Sequence, residues 1–158
     1  MAHITVEYMI LIPFLVLQIF LLPYATNIFM DYWSTSSETI ALQQTASHIG
    51  SSIQQLYFFL NNPSVASGTV TSVLSVSPNI GNHVYTGNAT LVSLSGSSSG
   101  KLLKLSLNLV GDKASASTPV TLGQNVQWTN STFMSNSTSA YINAYKDSNN
   151  TIWLSFKS

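Results

Sequence analysis

The side chains that could do chemistry are few and scattered. His3, His48 and His83 stand far apart in a chain of 158 residues, and there is no cysteine to accompany them. The five acids are Glu7, Asp31, Glu38, Asp112 and Asp147, again well separated. A metal site needs three or four convergent ligands at short spacings, and no such spacing occurs. Serine is abundant, yet no G-x-S-x-G elbow is present to expose a nucleophile. The run Gly96-Ser-Ser-Ser-Gly100-Lys101 has three residues between its glycines, where a phosphate-cradling loop has four. Leu102 also stands where that loop needs Ser or Thr, so the run reads as a hairpin loop. Lysines and acids balance at five each, leaving no field to draw in nucleic acid. Neither enzyme activity, metal, cofactor nor nucleic-acid binding is expected.

Two kinds of residue remain. Glu7 precedes a long apolar run, where a carboxylate is costly unless it is paired or lies at an interface. It reads as a docking group that could meet a free amine on an adjacent copy, or as a marker of the membrane surface. The second kind is asparagine in N-x-S/T sequons: Asn88, Asn130, Asn136 and Asn149. All four fall at expected turns or loops, and residues 130–139 look like the best glycan-bearing loop. Chance alone gives some sequons in a chain holding 26 Ser, 15 Thr and 13 Asn. Trp33, Trp128 and Trp153 read as interface and core aromatics rather than ligand platforms.

Composition sharpens this. Only 6% of residues are charged, against roughly 25% in an average soluble protein, while 45% are hydrophobic. Hydroxyls and amides supply the polarity. Such groups do not titrate in acid, so a surface made of them suits a harsh exterior. With no disulfide available, packing into a polymer would be an alternative stabiliser.

The elements that position these residues divide near Pro63. Residues 1–62 read as one long helix, apolar over 8–33 and amphipathic over 34–62. The apolar stretch from Tyr8 to Tyr24 alone rises about 26 Å, near the minimum for crossing a bilayer core. Pro13 and Pro23 should bend or loosen it, because neither can donate its backbone bond. A shorter helix starting after Pro23 is the alternative. Further on, Leu42, Ala46, Ile49, Ile53, Leu56 and Leu60 recur at spacings of four and three, a heptad seam. That seam should pack on the chain's own head or on a neighbouring copy. Gly50 lies off it as a weak point. Asn61-Asn62-Pro63 ends the helix.

Residues 63–158 read as a β-sandwich head. Val70, Leu74 and Val76 mark a first strand. His83–Thr86 and Ala89–Ser95 flank a hairpin turn expected at Gly87-Asn88. Leu103, Leu105, Leu107 and Leu109 alternate with polar residues as the clearest strand. Residues 111–119 are expected as loop, with short strands at 120–122 and 125–129. A second hairpin turns at residues 147–150.

The segment HITVEYMILIPFLVLQIF resembles the N-terminal assembly segment of type IV pilins, especially archaeal pilins with class III signals. Glu7-Tyr8 followed by Pro13 is also similar to tight-adherence pilus subunits. The resemblance covers about the first 35 residues and, beyond them, only the architecture. It implies an α+β lollipop, with a long helix carrying a small Ig-like β-sandwich. It implies a homopolymer packed through Glu7 and the helix, held in the membrane before assembly. Its implied partners are a prepilin peptidase, an assembly ATPase and a membrane platform. The expected function is a structural, extracellular pilus subunit for adhesion or cell–cell contact, with N-linked glycans on the head. The alternatives are an archaellin and a single-pass membrane-anchored binding protein that never polymerises.

Overall fold

The structure is a computed structural model that describes residues 2–93 and 100–158, with the side chains of residues 2–8 and 10 outside that description. Helix α1 runs from Ala2 to Asn61, and eight strands follow: β1 (Gly68–Val73), β2 (Tyr85–Ser93), β3 (Gly100–Leu109), β4 (Ser115–Gly123), β5 (Val126–Trp128), β6 (Thr132–Met134), β7 (Tyr141–Lys146) and β8 (Ile152–Lys157). The fold class is α+β. The chain forms two compact units, residues 1–37 and residues 38–158. Residues 2–37 of the first are helical throughout. Helix continues through Pro13 and Pro23 without interruption, so a helix that starts only after Pro23 is excluded.

The second unit contains the end of α1 and both sheets. One sheet has the order β1-β7-β8-β5 and the other β4-β3-β2-β6. All neighbours are antiparallel except β5 and β8, which run parallel. The two sheets pack as a sandwich. Leu103, Leu105, Leu107 and Leu109 of β3 are all buried, while Lys104 and Asn108 point outward. This is the period-two pattern of a strand with one face on a core. On the other sheet Ile142, Ala144, Ile152, Leu154 and Phe156 face inward. Phe133 of β6 meets Phe156 of β8 edge-on at 4.8 Å between ring centroids, and Trp128 of β5 meets Phe156 at 5.0 Å.

The seam of α1 resolves the choice left open above: it packs on the chain's own head. Leu42, Ala46, Ile49, Ile53 and Leu60 are wholly buried and Leu56 is partly so. Each fully buried Leu or Ile among them stabilises by about 1.5–3 kcal/mol through area removed from water. Gln43 Nε2 donates to Thr118 Oγ1 at 3.1 Å, and Gln54 Nε2 to the Thr121 carbonyl at 3.4 Å, both on β4. On its other flank the helix meets β1 across a cleft of about 300 Å³ between Phe59 and Val70. The helix therefore lies against β4 and β1, an edge strand of each sheet. The opposite edges, β5 and β6, are only three residues long. Gln43 and Gln54 donate to the Ser117 and Thr121 carbonyls along the β4 edge, and the short β5 and β6 offer little unpaired backbone to template unwanted strands.

Several sequence expectations need correction. Gly87-Asn88 is no turn. β2 runs straight through it, pairing Gly87 with Leu107 and Phe133. Glycine is there for close approach: a Cβ would stand 2.6 Å from Phe133 Cζ and 2.8 Å from Leu107 Cδ2. Residues 115–119 are strand, not loop. Pro119 fits because β4 is an edge and needs no inner-ladder donor there. The first strand ends at Val73, short of Leu74 and Val76. Gly50 is buried against β4, with Val120 Cγ2 2.9 Å from where a Cβ would be. It is a contact point rather than a weak point. β6 lies in a segment expected to be loop. The hairpin at 147–150 is as expected, closed by Asp147 N–H to the Thr151 carbonyl at 2.9 Å, with Asn150 at φ 60°.

Candidate functional site: the bare helix and the neutral head

In the first unit the large apolar side chains from Leu11 to Trp33 are exposed, each to about half its surface or more. Phe14, Phe20, Phe29, Tyr32 and Trp33 are among them. Soluble monomers rarely expose contiguous apolar patches beyond a few hundred Å². From Leu11 onward the helix is long and apolar enough to cross a membrane. Asp31 is its one charge between Leu11 and Ser37. Thr26 Oγ1 donates back to the Leu22 carbonyl at 2.8 Å and Thr35 Oγ1 to the Asp31 carbonyl at 3.0 Å. These internal bonds satisfy hydroxyls without water, as a helix in an apolar environment requires. Pro13 and Pro23 lie on this stretch. The Glu7 and His3 side chains fall outside the described residues, as do residues 96–99 of the serine loop.

The head anchors the end of α1 with unusual use of a cation. Lys146 is buried, and its Nζ donates to the carbonyls of Asn62 and Val65 at 3.0 and 2.8 Å. Those carbonyls lie just beyond the helix, where the dipole favours positive charge. Asn125 ties the same corner. Its Nδ2 donates to Asn61 Oδ1 at 2.9 Å and to the Asn150 carbonyl at 2.8 Å, and its Oδ1 accepts from Tyr57 Oη at 3.3 Å. Sequence reasoning missed both residues, because long-range pairing decides their partners and no local pattern marks it. Tyr85 is fully buried, and its Oη donates to the Ser77 carbonyl at 2.9 Å. Burial pushes its phenol up to about 12, since the phenolate would lose its water.

The four sequon asparagines are all exposed. Asn136 and Asn149 sit in turns and Asn130 in the crossover from β5 to β6. Asn88 differs from expectation by lying within β2, on its outward face opposite Ser106 and Thr132. Among the described residues no group of three or more His, Asp or Glu gathers in metal-binding fashion. Trp153 and Trp33 are exposed, while Trp128 is half-buried and its indole N–H has no partner among the described residues.

One long apolar N-terminal helix followed by a β-sheet domain is a pilin-like architecture. No family model, curated protein or solved structure matches the chain at a significant level.

Proposed function

We infer that the chain is a structural subunit of an extracellular, archaeal type IV pilus, polymerising through residues 8–33 of its helix. The observation that carries this reading is the unbroken exposure of large apolar side chains from Leu11 to Trp33. Lipid can shelter them before assembly, and identical helices can shelter them afterwards. Moving from one apolar surround to the other loses little solvation, so packing summed over many neighbours decides the outcome. Glu7 is the proposed docking group, and a prepilin peptidase, an assembly ATPase and a membrane platform are the proposed assembly partners. The heads would form an outer layer whose hydroxyls, amides and N-linked glycans mediate adhesion or cell–cell contact. No catalytic role is proposed.

A membrane-anchored binding protein that does not polymerise is favoured by one observation: the seam from Leu42 to Leu60 is consumed by the chain's own head. Only the preceding segment then needs a partner, and a bilayer could supply it. Electron microscopy of surface material sheared from cells, labelled with antibody to the head, separates the two. Labelled filaments of uniform width are expected. Label confined to membrane fragments would favour the anchor.

A further inference from the structure

Asn130 borders a cleft of about 410 Å³, within the ~300–1,000 Å³ range of small-ligand sites. Thr90, Ser93 and Gln127 supply neutral donors and acceptors to its wall, and Leu91 and Trp128 supply apolar surface. Lys101 also lines it, but its Nζ is engaged by the Val126 carbonyl at 2.6 Å and fixes the wall. Neutral hydrogen-bonding groups beside an indole suit a saccharide, whose rings carry hydroxyls at the rim and C–H groups on the faces. The backbone that presents Asn130 is held on both sides. Thr129 N–H donates to the Leu154 carbonyl at 2.9 Å. Ser131 Oγ accepts from Phe156 N–H at 2.8 Å and donates to the Thr129 carbonyl at 2.9 Å. An exposed acceptor asparagine thus stands on a fixed crossover at the mouth of a cleft with saccharide chemistry.

We propose that this cleft seats the first sugars of a glycan carried by Asn130. The idea rests on the extracellular, glycosylated reading above. The bond would form between Asn130 Nδ2 and the anomeric carbon of a polyprenyl-phosphate-linked sugar. The lipid phosphate leaves with the bonding electrons, and the amide proton passes to a base of the transferase. Folded back, the sugar covers Trp128 and meets Thr90 and Gln127, joining the β5 edge to β2.

The test uses full-length chain from its own cells, with glycopeptide mass spectrometry for occupancy and thermal melting of the head in detergent. Asn130 should be occupied, and Asn130→Gln should lower the melting temperature by about 4 °C, against under ~1 °C for Asn149→Gln. Thr90→Tyr fills the cleft from an exposed position. In that background the Asn130→Gln shift should vanish, a non-additivity expected only of groups in contact. An equal shift in both backgrounds overturns the seat. A bare Asn130 beside occupied Asn136 or Asn149 overturns it too, while leaving surface glycosylation standing; four bare sequons remove both. Binding of soluble glucose, mannose or N-acetylglucosamine to chain with bare Asn130 would make the occupant a free sugar and overturn the tethered one.

Discussion

Two stretches of one helix give their apolar side chains opposite fates. Residues 11–33 are apolar on every side and exposed; residues 42–60 carry an apolar stripe that is buried in the head, with Phe58 and Phe59 exposed beside it. Ile19 is 63% exposed and Ile53 0%, though both are isoleucines on the same element. The physical difference is the width of the apolar surface. A stripe about one face wide can be matched by a sheet edge and its neighbours, whereas a helix greasy all round needs lipid or other helices. The first stretch is therefore long and apolar enough to cross a membrane, and the second is an integral part of a fold.

The matched pair is the strongest way to break this contrast. Ile53→Ala should destabilise the head by about 2–5 kcal/mol, the usual range for emptying a core position, seen as a lower midpoint in denaturant. An unchanged midpoint would mean that the seam does not belong to the head. Gly50→Leu comes next. Its side chain would drive into Val120, and overpacking of this kind costs about 1–3 kcal/mol. A stable variant would show that helix and β4 have room to part.

Tyr85 sharpens the picture of the head alone. Its neutral phenol is favoured in the folded state, so its contribution is complete below pH 10 and is lost as pH rises through about 12. Tyr85→Phe should lose about 1 kcal/mol at neutral pH with the bond to Ser77, and should flatten the alkaline fall between pH 10 and 12. Identical alkaline limbs would contradict burial of the hydroxyl. The smallest effect on the head is expected from Ile19→Ala, within about 0.5 kcal/mol as at other exposed sites. Its consequence should instead be a reduced fibre yield, as for Glu7→Ala. Normal yield from both would remove the proposed assembly role of Glu7 and of this stretch.

The long helix, its end at Asn61 and the β3 alternation were legible in the sequence because each is a local pattern. Hydrophobic periodicity even named the seam residues, although only the structure shows what they pack against. Gly87 misled because glycine before asparagine reads as a turn. Its actual reason is the Phe133 ring, which reaches it from 46 residues further along the chain. Pro119 misled in the same way, since a proline excludes strand only where its missing donor is needed. The cleft beside Asn130 was invisible: Thr90, Lys101 and Trp128 meet there through sheet topology, and only the sequon marked the place.

Sedimentation velocity on the full-length chain as detergent is withdrawn tests the central claim most directly. The exposed surface between Leu11 and Trp33 predicts a small species in detergent, and large assemblies with filaments visible by electron microscopy once detergent is gone. A stable, detergent-free monomer with a folded head would contradict it.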